Sequence, residues 1–273
     1  MKQTRTGPQR SVPCALTVAG SDSGGGAGIQ TDLKTFAVLK VHGTSVLTCV
    51  TAQNPKEVKA IQPVSSRVVF SQFQALNNGL KPEAVKSGML FSKAIVQSVL
   101  RGLELLKPRW YVLDPVMIAT SGAQLLQNSC IEVIQNRLIP LASVITPNIA
   151  EAEVLLGRTI RGSAQAKASV RQLVDRYEVP FLLKGGHLPS RGKVIDYFYD
   201  GHTLNAMESA YIKSKDTHGT GCTYSAAITA HLALGASLES AVVRGKAFIA
   251  EAIEQSYRTG DHQALNVWKG AAT

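Results

Sequence analysis

The residues best suited to chemistry stand in Asp216–Gly235, which reads DTHGTGCTYSAAITAHLALG. Gly219 and Gly221 precede Cys222, and an Ala-rich helical pattern follows. A helix starting there leaves several backbone N–H groups unpaired, aimed into the preceding loop and backed by the positive end of its dipole. Such a terminus suits an anion. The glycines let a phosphate or oxyanion approach the backbone without a Cβ in the way. Cys222 falls in the first turn, where a thiol loses its proton more easily than in water. Gly219, Thr220, Gly221 and Cys222 therefore read as an anion hole beside a nucleophile or base. A glycine-capped loop around a buried cysteine explains the same letters equally well. Partner groups elsewhere decide between the two.

Those partners come from short apolar runs that end in polar residues. ALTVA (15–19) leads into GSDSGGGAGIQTDLKT, a strand, a Gly-rich turn and a helix continuing over Thr31–Lys40. Neither common phosphate loop fits this turn. A Walker A loop needs Gly-Lys before Ser or Thr, and a dinucleotide fingerprint needs GxGxxG. What remains is a flexible backbone carrying two carboxylates, Asp22 and Asp32. Asp22 and Ser23 also suit plain caps of a turn and a helix.

Thr44–Pro55 reads as a buried strand presenting Gln53 and Asn54, and VKAIQPV (58–64) as an edge strand or flap. Ala84–Leu90 and Trp110–Val116 are strands, the second with Asp114 at its end and a glycine-containing loop at Ser121–Gly122 after it. Ser143–Asn148 is a strand followed by the helix NIAEAEVLLG, with Glu151 in its first turn. Phe181–His187 delivers Lys184. VIDYFYDG and HTLNAME form a hairpin at Asp200–Gly201. Helices are expected over 65–80, 94–106, 131–138 and 164–177, after the GTGC segment, and as one last long helix over Leu238–Tyr257.

Alternating strands and helices predict a parallel sheet covered on both faces, an α/β sandwich. Its strand ends would line up Asp22, Gln53, Asp114, Asn148 with Glu151, and Lys184 along one edge. With an anion hole, that inventory suits phosphoryl transfer, which needs positioning and charge neutralisation. Singly, Lys184 reads as well as a surface lysine, and Glu151 as a helix N-terminal carboxylate. His42, His187, His202 and His218 read as loop or surface residues.

The 273 residues, 45% of them hydrophobic, suffice for one large core. No apolar run reaches the roughly eighteen residues of a membrane span. Residues 1–13 read as a disordered basic lead-in, and 14–273 as a single domain. Cys14, Cys49, Cys130 and Cys222 are scattered, with no CxxC, which argues against zinc or disulfides and for a reducing cytoplasm. The net charge of +10 suits anionic partners. Nucleic acid is one such partner, but the basic residues are dispersed and no aromatic-basic motif appears; a small phosphorylated ligand fits the charge as well, and no nucleic-acid partner is expected.

Taken in order, GSDSGGGAGIQTDLKT, VTAQN, SGML, LDPV, TPNIAEAEVL, LLKGGH and DTHGTGCTYSAAI resemble the hydroxymethylpyrimidine/phosphomethylpyrimidine kinases of thiamin biosynthesis, in the ribokinase-like superfamily. The resemblance runs from about Ala15 to about Tyr257. It implies a three-layer α/β/α sandwich, a mostly parallel central sheet with a small β flap, and a homodimer. It implies ATP and Mg²⁺ as cofactors, with the pyrimidine and its monophosphate as substrates. Asp32 and Gln53 would hydrogen-bond the aminopyrimidine, Met89 would pack on the ring, and Ala27 and Gly28 would line its pocket. Asp114 and Glu151 would sit near Mg²⁺. Lys184 would contact the ATP phosphates, with Asp114, Asn148, Gly219 and Gly221 on the nucleotide side. Most ribokinase-like sugar kinases place an aspartate where Cys222 stands; the cysteine matches the pyrimidine-kinase branch and some pyridoxal kinases. Thr31 and Asp216 stand where alanine and asparagine are common. A pyridoxine/pyridoxal kinase and a non-catalytic pyrimidine or nucleotide sensor are the competing readings.

Overall fold

A computed structural model describes residues 11–117, 127–186, 188, 192–212 and 218–270. The elements in chain order begin β1 (Cys14–Asp22), α1 (Gly28–Val38), β2 (His42–Asn54), β3 (Glu57–Pro63), α2 (Ser66–Asn77), β4 (Ala84–Ser87), α3 (Lys93–Leu106) and β5 (Trp110–Leu113). Next comes α4 (Ile131–Val133), which runs on through a π turn over 134–138 and a 3-10 turn over 139–141. They continue with β6 (Val144–Ile145), α5 (Ile149–Leu156), α6 (Gly162–Tyr177), β7 (Phe181–Leu183), β8 (Lys193–Tyr199), β9 (Leu204–Ala210), α7 (Thr220–Ala233) and α8 (Leu238–Glu254). The chain closes on β10 (Tyr257–Thr259), β11 (His262–Ala264) and α9 (Val267–Gly270).

Nine strands form one sheet in the order β3-β2-β1-β4-β5-β6-β7-β8-β9. From β2 to β7 every neighbouring pair is parallel, and β3, β8 and β9 join antiparallel. The central strands are largely apolar because both faces are covered. Their two-residue period still sorts the side chains. Leu16, Val85, Leu113, Ile145 and Leu183 point to one core, shared with Phe73 of α2, Val99 of α3 and Leu173 of α6. Ala15, Ala84, Val112, Val144 and Leu182 point to the other, shared with Phe36 of α1, Ile228 of α7 and Val242 of α8. The result is the α/β/α sandwich expected. Among the described residues no helix is long and apolar enough to cross a membrane.

Helix α7 is buried over most of its surface, and its small side chains let its neighbours come close. At Gly245 of α8 an added Cβ would lie 2.7 Å from Ile228 of α7. The helix that carries the GTGC segment is therefore wedged in place.

One of the boundaries that differ from expectation adds a hairpin. The last long helix ends at Glu254 rather than Tyr257, and Tyr257–Thr259 pairs antiparallel with His262–Ala264. Gly260 takes a left-handed φ of 53° there, so Gly260-Asp261 forms the two-residue turn of a hairpin. Segment 58–64 is an edge strand on β2, with a register shift between Ala52 and Gln53. The Ser121–Gly122 loop, His187, Asp216 and most of the basic lead-in lie outside the described residues.

Candidate active site

Parallel strands deliver loops to one edge of the sheet, and α7 begins there. The first loop folds around Asp22. Its Oδ1 accepts the Gly24 N–H (2.8 Å) and its Oδ2 those of Gly26 (3.1 Å) and Ala27 (2.8 Å). His218 Nε2 also reaches Oδ2, at 2.8 Å. Burial opposes the Asp22 charge, but His218 and the loop N–H groups outweigh it and hold the carboxyl below its usual range.

The two glycine segments touch. Gly219, the cap of α7, has φ 82°, and a Cβ there would fall 1.8 Å from the Gly26 carbonyl oxygen. Gly28, at φ 56°, would drive a Cβ to 2.3 Å from the Gly20 oxygen. Between them lies a cavity lined by Asp22, Ala27, Gly28, Gln53, Met89 and Cys222, with Gly20, Gly88 and Val116 among its other walls. Met89 is fixed from behind, its carbonyl accepting from Thr48 Oγ1 (2.7 Å) and its sulfur meeting Cys49 Sγ (3.7 Å).

Asp32 is not in that cavity. Its side chain is fully buried, one oxygen on Lys86 Nζ (2.8 Å) and the other on Thr17 Oγ1 (2.6 Å). The loop turns Asp22 inward and leaves Asp32 on the sheet side of α1. The carboxylate that lines this cavity is Asp22, while Asp32, expected at the ring, lies behind it against Lys86 and Thr17.

On the other side of Cys222 the charges gather. Lys184 Nζ binds Asp114 Oδ1 at 2.9 Å, and a Cβ on Gly221 would lie 3.2 Å from that ammonium. Asp114 also accepts from Thr146 (3.2 Å) and Ser225 (3.0 Å). Burial opposes its ionisation, yet Lys184 and Lys86 hold it below the usual carboxylate range. Lys184 is held charged against burial by Asp114 and Glu151. Glu151 closes a capping box with Asn148, their side chains and backbone N–H groups bonded both ways at 2.8 and 2.9 Å. Burial pushes the Glu151 carboxyl up to about 7, with Lys184 pulling it down and the Asp114 charge pushing further up. Asn148 lies beside Lys184 as a parallel bridge.

Cys222 behaves differently from the expectation of an easily ionised thiol. Burial pushes it up to about 11, against the pull of Lys86 and the Gly28 N–H, with Asp32 and Asp114 adding to the rise. Burial outweighs the helix terminus. At neutral pH the group is a thiol.

Several groups here escape a pattern reading. Lys86 is a charged letter inside a buried strand, and that incongruity is its only local signal. Ser225 follows Cys222 by three residues on the same helix and reaches Asp114. His218, expected with His42 and His202 as a loop or surface residue, lies in the turn before α7 and is largely enclosed; the other two are exposed.

The profile of the phosphomethylpyrimidine kinase family matches residues 22–267. The chain belongs to that family. The hydroxymethylpyrimidine/phosphomethylpyrimidine kinase of Bacillus subtilis is 41% identical over 250 residues, covering 92% of each chain. The crystal structure of phosphomethylpyrimidine kinase from Clostridium difficile has a TM-score of 0.78 at 39% identity, over 89% of this chain and all of that one. An ADP complex of Bacillus subtilis pyridoxal kinase has a TM-score of 0.87 at 33% identity, over 95% of this chain and 98% of that one. The chain is thus a kinase, a phosphotransferase, of ribokinase-like fold.

Proposed function

We infer that the protein transfers the γ-phosphoryl group of ATP to 4-amino-5-hydroxymethyl-2-methylpyrimidine, then phosphorylates the monophosphate to the pyrophosphate, supplying the pyrimidine half of thiamin. The observation that carries this reading is the single cavity joining Gln53, Met89, Ala27 and Gly28 to Cys222 at the start of α7. A flat ring fits between Met89 and the Gly28 backbone, with the Gln53 carboxamide for its polar edge. Its hydroxymethyl group then faces Cys222.

Phosphate fits the next site. Among the described residues the buried Thr220 Oγ1 has no hydrogen-bond partner, the α7 N–H groups open beside it, and Lys184 supplies positive charge. The hydroxymethyl oxygen bonds to the γ-phosphorus as the bond to the bridging oxygen breaks and ADP leaves. Its proton passes late to a phosphoryl oxygen of the product. A neutral Cys222 orients that hydroxyl by hydrogen bonding, which favours direct in-line transfer over a phosphocysteine.

Among the described residues no three His, Cys, Asp or Glu side chains form a metal cluster. Mg²⁺ is commonly held by one or two carboxylates with waters and substrate phosphates, and Asp114 and Glu151 fit that need. When bound, the ion would neutralise phosphate charge there. We further propose a homodimer, a single domain from residue 14 onward, and the cytoplasm as its compartment, in keeping with four free cysteines.

The test is a Mg-ATP assay with the hydroxymethylpyrimidine, its monophosphate and pyridoxal as acceptors. Turnover of both pyrimidines well above pyridoxal supports the reading. Turnover of pyridoxal alone would make the protein a pyridoxal kinase, the activity of its structural neighbour, and binding without turnover a sensor.

Two substitutions probe the pocket. Gln53→Ala raises KM for the pyrimidine about tenfold, the worth of one hydrogen bond of about 1.4 kcal/mol, and leaves KM for ATP alone. An unchanged pyrimidine KM would put the ring elsewhere. Cys222→Ala lowers kcat about ten- to a hundredfold through lost alignment, with ATP binding intact. In the unsubstituted protein, alkylation of Cys222 accelerates as pH rises towards about 11. Full alkylation reactivity at pH 7 would restore the thiolate to the mechanism.

A further inference from the structure

Asp22 and His218 lie 196 positions apart, yet their side chains meet at 2.8 Å with little exposure. Asp22 already has three loop N–H groups of its own, enough to shape the Gly-rich turn as a local cap. The bond to His218 adds nothing to that turn. It ties the turn to the residue directly before the anion hole. Contact there is tight: a Cβ on Gly26 would lie 2.8 Å from His218 Cδ2, and one on Gly219 would strike the Gly26 oxygen. Downstream, the same turn ends in Ala27 and Gly28, which wall the acceptor cavity together with Cys222. The Gln53 carboxamide approaches the same histidine nitrogen at 3.4 Å.

We propose that His218 is a positioning residue: by holding Asp22 it clamps the acceptor-binding loop to the phosphate-binding helix and sets the distance the phosphoryl group must cross. The proposal rests on the kinase reading above. It assigns His218 no contact with the reacting atoms. Transfer is steeply sensitive to such spacing, because a misplacement of about 1 Å costs about a hundredfold. With the clamp open, ATP still binds, since Lys184, Asp114 and the α7 N–H groups are untouched. The γ-phosphoryl group then meets water more often relative to the acceptor hydroxyl.

The test compares wild type, His218→Ala and His218→Gln, whose amide nitrogen has similar reach to Nε2. The acceptor is whichever of the three compounds above the wild type phosphorylates. Four quantities are read: kcat, KM for ATP, ADP formed per phosphorylated acceptor, and Tm. His218→Ala is expected to lower kcat about ten- to a hundredfold, raise the ADP-to-product ratio several-fold and leave KM for ATP unchanged. His218→Gln recovers much of the coupling. Wild-type coupling in His218→Ala overturns the proposal, as does a loss that tracks a fallen Tm and that Gln does not recover. Should the wild type phosphorylate none of the acceptors, the kinase reading fails by itself. The clamp is then judged by hydrogen exchange of the 24–28 and 219–222 amides in His218→Ala, where faster exchange supports it and unchanged exchange overturns it.

Discussion

Lys184→Met is expected to lower kcat about a hundred- to a thousandfold while KM for ATP rises far less, the scale seen when one preorganised charge-stabilising group is removed. The ammonium stands 2.9 Å from Asp114 and close against the first turn of α7. It is the cation of the described site placed to neutralise the phosphate that α7 would receive, because Lys86 is already sealed against Asp32. Its loss does a second kind of harm. Asp114 would keep only Thr146 and Ser225, and the pull that Lys184 exerts on Glu151 would vanish. The Glu151 carboxyl, already at about 7, would then rise and hold a proton at neutral pH. Two charges needed around the nucleotide would change at once.

Lys184→Met/Asp114→Asn separates the effects. If the unpaired Asp114 charge destabilises the fold, the double variant regains much of its stability but, still lacking the ammonium, little of its rate. Steady-state kinetics with urea unfolding on both variants checks this. A kcat within tenfold of wild type for Lys184→Met would place the neutralising charge elsewhere.

What could be read from sequence depended on whether a group's role is local. Gly219 to Cys222 announce themselves because a helix start is a local event. Lys184 could be placed because FLL before it is a strand and GG after it is a turn. Gln53 and Met89 follow similar ends. Asp22 against Asp32 could not be settled, since both carboxylates flank the same glycines and only the fold of that turn decides which faces the pocket. The Asp22–His218 bond joins segments at opposite ends of the chain, with no periodicity to link them. Cys222 misled for a different reason. A helix terminus lowers a thiol pKa, but the sequence does not say that the thiol is buried deeply enough to reverse the sign, with Asp32 and Asp114 adding to the rise.

Lys86→Met is expected to destabilise the protein by about 3–5 kcal/mol, the cost of stranding a buried charge without its partner. Lys86 lies in the middle of β4 and Asp32 on α1, both without solvent exposure, and their 2.8 Å contact holds the lysine charged against burial. With the ammonium gone, Asp32 would keep Thr17 alone. Lys86→Met/Asp32→Leu should recover most of the loss, because an apolar pair of similar volume replaces a buried ion pair at little or no cost. The pair therefore owes its place to position more than to stability. Its ammonium lies under the floor at Gly88, 3.9 Å from where a Cβ would stand, and its charge draws down the Cys222 thiol. The double variant should thus fold nearly as well as wild type yet turn over more slowly, with Cys222 ionising at a different pH once both neighbouring charges are gone. Urea unfolding, kcat and the pH dependence of Cys222 alkylation measure the three effects separately. A loss below about 1 kcal/mol for Lys86→Met would mean that Asp32 takes up a proton in the fold, since only a neutral acid tolerates burial so cheaply.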